Sequence, residues 1–130
     1  MQEDQSSFGR HDMTKFIKSF GYAFSGIAHA FKSQLNFRFH IAALIVVGIA
    51  GWYFQLSTGE WLWIVAAAGI VLLSELFNTA IEVLVDLVSP DIHPKAKIIK
   101  DTAAAAVLIA AITAILIGLI IFIPKIAHAA

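Results

Sequence analysis

Three long apolar runs alternate with short polar stretches along the chain. The first covers Ile41 to about Leu56 (IAALIVVGIAGWYFQL), about 16 residues, and can borrow a turn from Phe37–His40. The second begins at Trp61 (WLWIVAAAGIVLL) and continues to about Val88. The third, Thr102–Ile123, is 22 residues without a charge, and its alanines and glycine suit close helix packing. These runs predict three membrane-spanning helices at about 38–56, 61–88 and 102–123. A different pattern precedes them. Phe16, Phe20, Phe24, Ile27 and Phe31 recur at steps of four, four, three and four, opposite Lys15, Lys18, Ser25, His29 and Lys32. That spacing predicts an amphipathic helix over 13–33 lying in the membrane interface; the simpler reading is a basic anchor to anionic lipid.

The second run is interrupted on one side only. Its later half reads SELFNTAIEVLVD and carries Glu75, Asn78, Glu82 and Asp86. At 100° per residue these fall at about 0°, 300°, 340° and 20°, one stripe about 80° wide with Thr79 beside it. A charged group at a bilayer centre costs at least about 2.5 kcal/mol, so the stripe is expected to face protein or a watery cleft. From Trp61, Glu75 lies about 21 Å along the helix and Glu82 about 31 Å. The row therefore climbs towards the end that meets the second connector.

Charge sets the expected topology. QLSTGE between runs one and two has no Lys or Arg, whereas SPDIHPKAKIIK carries Lys95, Lys97 and Lys100. Arg10, Lys15, Lys18, Lys32 and Arg38 precede the first run, and Lys125 alone follows the third. The excess lies on one side, so the N-terminus and second connector are expected in the cytoplasm and the C-terminus outside. A chain of 130 residues, 59% hydrophobic with a mean hydropathy of +0.82, is too apolar for a soluble core. The expected fold is an all-α integral membrane protein, one domain over 13–124 with polar tails at 1–12 and 125–130. The first 12 residues lack a basic start leading into an apolar core, so no cleaved signal peptide is expected. There are no cysteines, which excludes disulfides and thiolate metal sites. No nucleic-acid partner is expected.

Two carboxylates one or two turns apart can divide tasks. The shallower Glu82 suits a divalent cation, and the deeper, less solvated Glu75 suits a proton acceptor. Asn78 can orient a hydroxyl or phosphate oxygen. Lys100–Asp101 opens the third run, where a lysine and free backbone N–H groups offer charge to a phosphate. The residues read as phosphoryl transfer to something lipidic. A proton or ion pathway and polar glue between subunits are the other readings.

SELFNTAIEVLVD followed by HPKAKIIKDTAAAAVL resembles the pattern E-x-x-N-[ST]-A-I-E-x-x-x-D … K-D-x-x-[AS]-A-A-V-L of the small prokaryotic diacylglycerol kinase family, which includes undecaprenol kinases. The similarity runs from about Lys15 to Ile121 and includes GYAFSG and NFRFH. It implies a homotrimer with composite sites between chains, and ATP with Mg2+ as the reagents. The chain has neither G-x-x-x-x-G-K-[ST] nor G-x-G-x-x-G. By position, the resemblance makes Glu75 the general base, Glu82 a magnesium ligand, and Asn78 and Asp86 polar groups lining the site. It makes Lys15, Tyr22, Asp86, Asp91, His93, Lys100 and Asp101 ATP-binding, and places Arg38 with Glu75 at the lipid. Lys15 stands where relatives have Arg, which weakens a bidentate phosphate contact.

One residue departs from the family. Before NFRFH the family usually has a Glu sharing the metal, and here Gln34 stands there. A neutral amide is a weaker magnesium ligand, so reduced metal binding or an inactive relative is an alternative outcome. NFRFH and SPDIHPK look more like the undecaprenol branch, with diacylglycerol as the other substrate. The remaining residues read plainly. Trp52, Trp61 and Trp63 are expected as outer-interface anchors, His29 and His40 as polar or interfacial positions, and His11 and His128 as tail residues.

Overall fold

The computed structural model describes residues 5–130, all in helices and short connections: α1 (Gln5–Ser33), α2 (Leu35–Tyr53), α3 (Thr58–Val88) and α4 (Pro94–Ala129). Three of them, α2, α3 and α4, are long and apolar enough to cross a membrane, as the apolar runs predict. The ends differ from expectation. Residues 5–12, expected as tail, are the first turns of α1, while 1–4 lie outside the described residues. At the other end α4 runs through Pro124 to Ala129, so 125–129 are helical as well. The second connector is shorter than its polarity suggests, because α4 already starts at Pro94. His93 caps it, its Nδ1 accepting from the Lys95 backbone N–H at 3.1 Å, and Pro94 lacks the N–H that a first helical residue would leave unpaired.

Local chemistry fixes the other ends. Ser57 and Glu60 form a reciprocal capping box at the start of α3: Ser57 Oγ accepts from the Glu60 N–H at 3.2 Å and Glu60 Oε2 accepts from the Ser57 N–H at 2.8 Å. α2 closes with Leu56 N–H on the Gly51 carbonyl and Gln55 N–H on that of Trp52, and Gln55 takes the left-handed conformation at φ 54°. Gly51 lets this turn pack. A Cβ there would lie 2.7 Å from the Trp61 ring and 2.9 Å from Leu56. Trp61 is thus half-buried against the turn rather than a free interfacial anchor, whereas Trp52 and Trp63 are exposed.

α3 is the centre of the molecule. It packs chiefly along α4 and also meets α2 and α1. Its buried residues are Ile64, Ala67, Val71, Glu75, Asn78, Thr79 and Val85, and those of α4 are Ala103, Ala110 and Ile121. The small alanines let the backbones approach. Ion pairs join α3 to α4 at both ends, Glu60 to Lys125 at 3.1 Å and Asp86 to Lys100 at 2.5 Å. Glu75 is thus buried and Glu82 half-buried, and the basic connector sits at the end of the bundle where Asp86 meets Lys100.

Candidate active site

The site is built on the inner face of α3. Glu75 is 1% exposed, with Asn78 and Thr79 beside it buried and Glu82 half-buried one turn further on. Thr79 does not face the opening with its hydroxyl, which donates back to the Glu75 carbonyl at 2.9 Å. Asp86 departs from the expected stripe. It is exposed beyond the last buried turn, because its partner Lys100 comes from the start of α4.

Two residues from the α1–α2 corner complete the row. Gln34 sits between the two helices in an extended conformation and makes no cap for α2. Its side chain instead crosses to α3, where Nε2 donates to Glu82 Oε2 at 2.8 Å. Asn78 Nδ2 donates to Glu82 Oε1 at 3.3 Å, so both carboxylate oxygens are held by amides. One turn into α2, His40 Nε2 lies 3.2 Å from Glu75 Oε1. The ring N–H is not aligned with that oxygen, which therefore has no hydrogen bond despite the short distance. Asn78 Oδ1 is likewise buried without a partner. Leaving a buried acceptor unpaired costs about 1–3 kcal/mol, so each of the two is open to a donor. The His40 contact is invisible in sequence, since periodicity on α3 says nothing of the helix opposite.

Glu82 offers hard oxygen chemistry for a divalent cation. Its amide neighbours can turn their oxygens towards the same point, which fits an ion bound through one carboxylate and substrate phosphates. Among the described residues no group of three His, Cys, Asp or Glu could hold a metal.

Two cavities flank the row. A small one of about 290 Å³ is lined by Asp86, Asp91, His93, Lys97, Lys100 and Asp101. It gathers five of the expected ATP residues, with Lys97, which the sequence reading passed over and which pairs with Asp101. Lys15, Tyr22 and Arg38 are exposed and do not line it within one chain. The other, about 720 Å³ and almost wholly apolar, runs between α1 and α3 past Gly26, Ile27, His29, Leu76 and Thr79. A charged pocket thus lies at the Asp86 end of the acidic row, and an apolar groove runs past Thr79 beside it.

The model of the prokaryotic diacylglycerol kinase family matches residues 21–122. The chain belongs to that family. It is 44% identical over 116 residues to the undecaprenol kinase of Bacillus subtilis, covering 89% of this chain and 94% of that one. It is 39% identical over 109 residues to a diacylglycerol kinase of Synechocystis, 83% of this chain and 62% of the relative. With the diacylglycerol kinase of Escherichia coli K12 the identity is 33% over 104 residues, 79% and 84% of the two chains. The resemblance carried by SELFNTAIEVLVD and KDTAAAAVL is therefore borne out, and with it the lipid-kinase class of enzyme. The three apolar helices agree with a multi-pass membrane member of a prokaryotic family.

Proposed function

We propose that this chain transfers the γ-phosphoryl group of ATP to a membrane lipid alcohol, undecaprenol in the first place and diacylglycerol as the alternative. The observation that carries the reading is the pair of unpartnered buried acceptors, Glu75 Oε1 and Asn78 Oδ1, next to Thr79, which with Leu76, Ala80 and Val83 lines an apolar groove. A hydroxyl at the head of an apolar chain can donate to Asn78 Oδ1 or give its proton to the Glu75 carboxylate beside it. The leaning to undecaprenol rests on the greater identity to the Bacillus relative.

In this mechanism the lipid enters from the inner leaflet with its tail along the α1–α3 groove. Asn78 orients the hydroxyl and Glu75 removes its proton. The alcohol oxygen attacks the γ-phosphorus in line, the bond to the β-phosphate oxygen breaks, and ADP leaves. Lys100 offsets charge on the phosphates from the small pocket, where Asp86, Asp91, His93 and Asp101 hold the nucleotide. Glu82, with the Gln34 and Asn78 amides beside it, would hold magnesium, which would supply positive charge to the phosphates. Positioning and charge stabilisation supply most of the rate, as is general for phosphoryl transfer.

Assembly and orientation belong to the same proposal. Lys15 and Tyr22 reach nucleotide across a boundary between chains of a homotrimer, with α1 in the interface plane and Arg38 near the lipid headgroup region. The N-terminus is cytoplasmic and the C-terminus outside, in keeping with the basic residues at the α1–α2 corner and the start of α4. Membranes containing the protein, given each alcohol in turn with labelled ATP, are expected to yield labelled undecaprenyl phosphate in excess on thin-layer plates. Label in neither lipid would overturn the kinase reading. Glu75→Gln is expected to abolish turnover while ATP binding survives, and turnover in that variant would remove Glu75 as the base.

A further inference from the structure

We infer that His40 is the positioning partner of Glu75, its Nε2–H fixing one carboxylate oxygen so that the other faces the alcohol. The inference rests on the proposed role of Glu75 as base. Its ground is geometric. Glu75 comes from the middle of α3 and is 1% exposed, and a carboxylate so enclosed needs a donor to hold its direction. Among the described residues, His40 is the one basic side chain within ion-pair distance of it, at 3.2 Å. Every other polar residue of the row has different work: the Asn78 and Gln34 amides are on Glu82, and the Thr79 hydroxyl is on the Glu75 carbonyl.

The contact also has the right asymmetry. Glu75 Oε1 is enclosed and lies beside the ring, while Oε2 is not among the enclosed, unpartnered atoms. A donor on Oε1 leaves Oε2 as the oxygen that takes the hydroxyl proton. In this structure the ring nitrogen stands 3.2 Å from Oε1 without a hydrogen bond between them. Such contacts are often loose before substrate binds and tighten in the reacting complex. His40 itself keeps 20% of its side chain exposed, so the ring can turn without unpacking the core. Its place on α2, six residues after Gln34, means that one corner aligns both acids of the row: Gln34 holds Glu82 and His40 holds Glu75.

The test separates a donor from a filler. His40→Gln keeps an N–H in reach; His40→Leu and His40→Phe keep volume without one. Purified in detergent with lipid alcohol and ATP, the Leu and Phe variants are expected to lose about 10-fold or more in kcat, within the ~10²–10⁴ that a positioned base contributes. KM for ATP and lipid is expected to hold, because the lost interaction acts in the transition state. His40→Gln is expected to recover most of the rate, with thermal unfolding alike in all three. Equal rates in the Gln, Leu and Phe variants, whether high or low, would overturn the inference. Glu75→Gln run alongside keeps the two claims apart: if it retains turnover, the base assignment fails, whereas a dead Glu75→Gln with fully active Leu and Phe variants refutes only the role of His40.

Discussion

Gln34 shows how much of a residue's surroundings the sequence leaves unread. Its position before NFRFH identifies it as the place where the family usually has a Glu, and a neutral amide there weakens a metal site. The structure adds what the amide does instead, which is to donate to Glu82 and, with Asn78, to occupy both carboxylate oxygens. A cation must then displace or turn two amides before it reaches Glu82. Gln34→Glu places two carboxylates together, which repel each other in the free protein and bind a divalent ion more tightly for it. The expected result is at least a several-fold fall in the Mn2+ dissociation constant, read by electron paramagnetic resonance titration without ATP. An unchanged constant would remove Gln34 from the metal site. The α3 row was legible from period alone, because a 3.6-residue repeat decides which side chains share a face. His40 against Glu75 and Gln34 against Glu82 were not, since their register depends on how two helices cross.

The elements show the same division. All three apolar runs became helices, and the second ended at Val88 as expected, because Ser89 and Pro90 stop it. The first ended three residues early, at Tyr53 rather than Leu56, where the chain turns through Gln55. Such a turn normally favours Gly, and nothing in FQLSTGE announces it. Two opposite outcomes follow from its geometry. Gln55→Gly removes a left-handed non-glycine residue, so thermal unfolding in detergent is expected to rise, by at most about 1 kcal/mol of stability. Gly51→Ala pushes a methyl into Trp61 and Leu56, and overpacking of this kind costs about 1–3 kcal/mol. A stable Gly51→Ala protein with unaltered Trp fluorescence would show that the α2–α3 turn is looser than its contacts indicate. Polarity also misleads at the start of the chain and in the second connector: residues 5–12 and 94–101 are rich in charged or polar side chains yet helical, since hydropathy measures what surrounds a helix and not whether one forms.

For the molecule as a whole, the decisive feature is the contrast between the two long faces of the bundle. The inner face of α3 gathers acids and amides, while Ile45, Val46, Ile49, Leu108, Ile109 and Ile120 on α2 and α4 are exposed. That much exposed apolar surface is stable in a bilayer and not in water. The charges at the ends then set direction. Lys95, Lys97 and Lys100 stand at one end of α4, whereas Lys125 at the other is paired with Glu60. The two ends of a helix that crosses once lie on opposite sides, and the proposed orientation puts the basic end in the cytoplasm. The absence of cysteine makes the question easy to put. Ile92→Cys lies in the fully exposed second connector and His128→Cys in the last turn of α4. With a membrane-impermeant maleimide on intact cells, His128→Cys is expected to label at once and Ile92→Cys only after permeabilisation. The reverse order would place the small charged pocket on the outer surface, away from cytosolic ATP. It would thereby refute the proposed kinase mechanism while leaving the fold untouched.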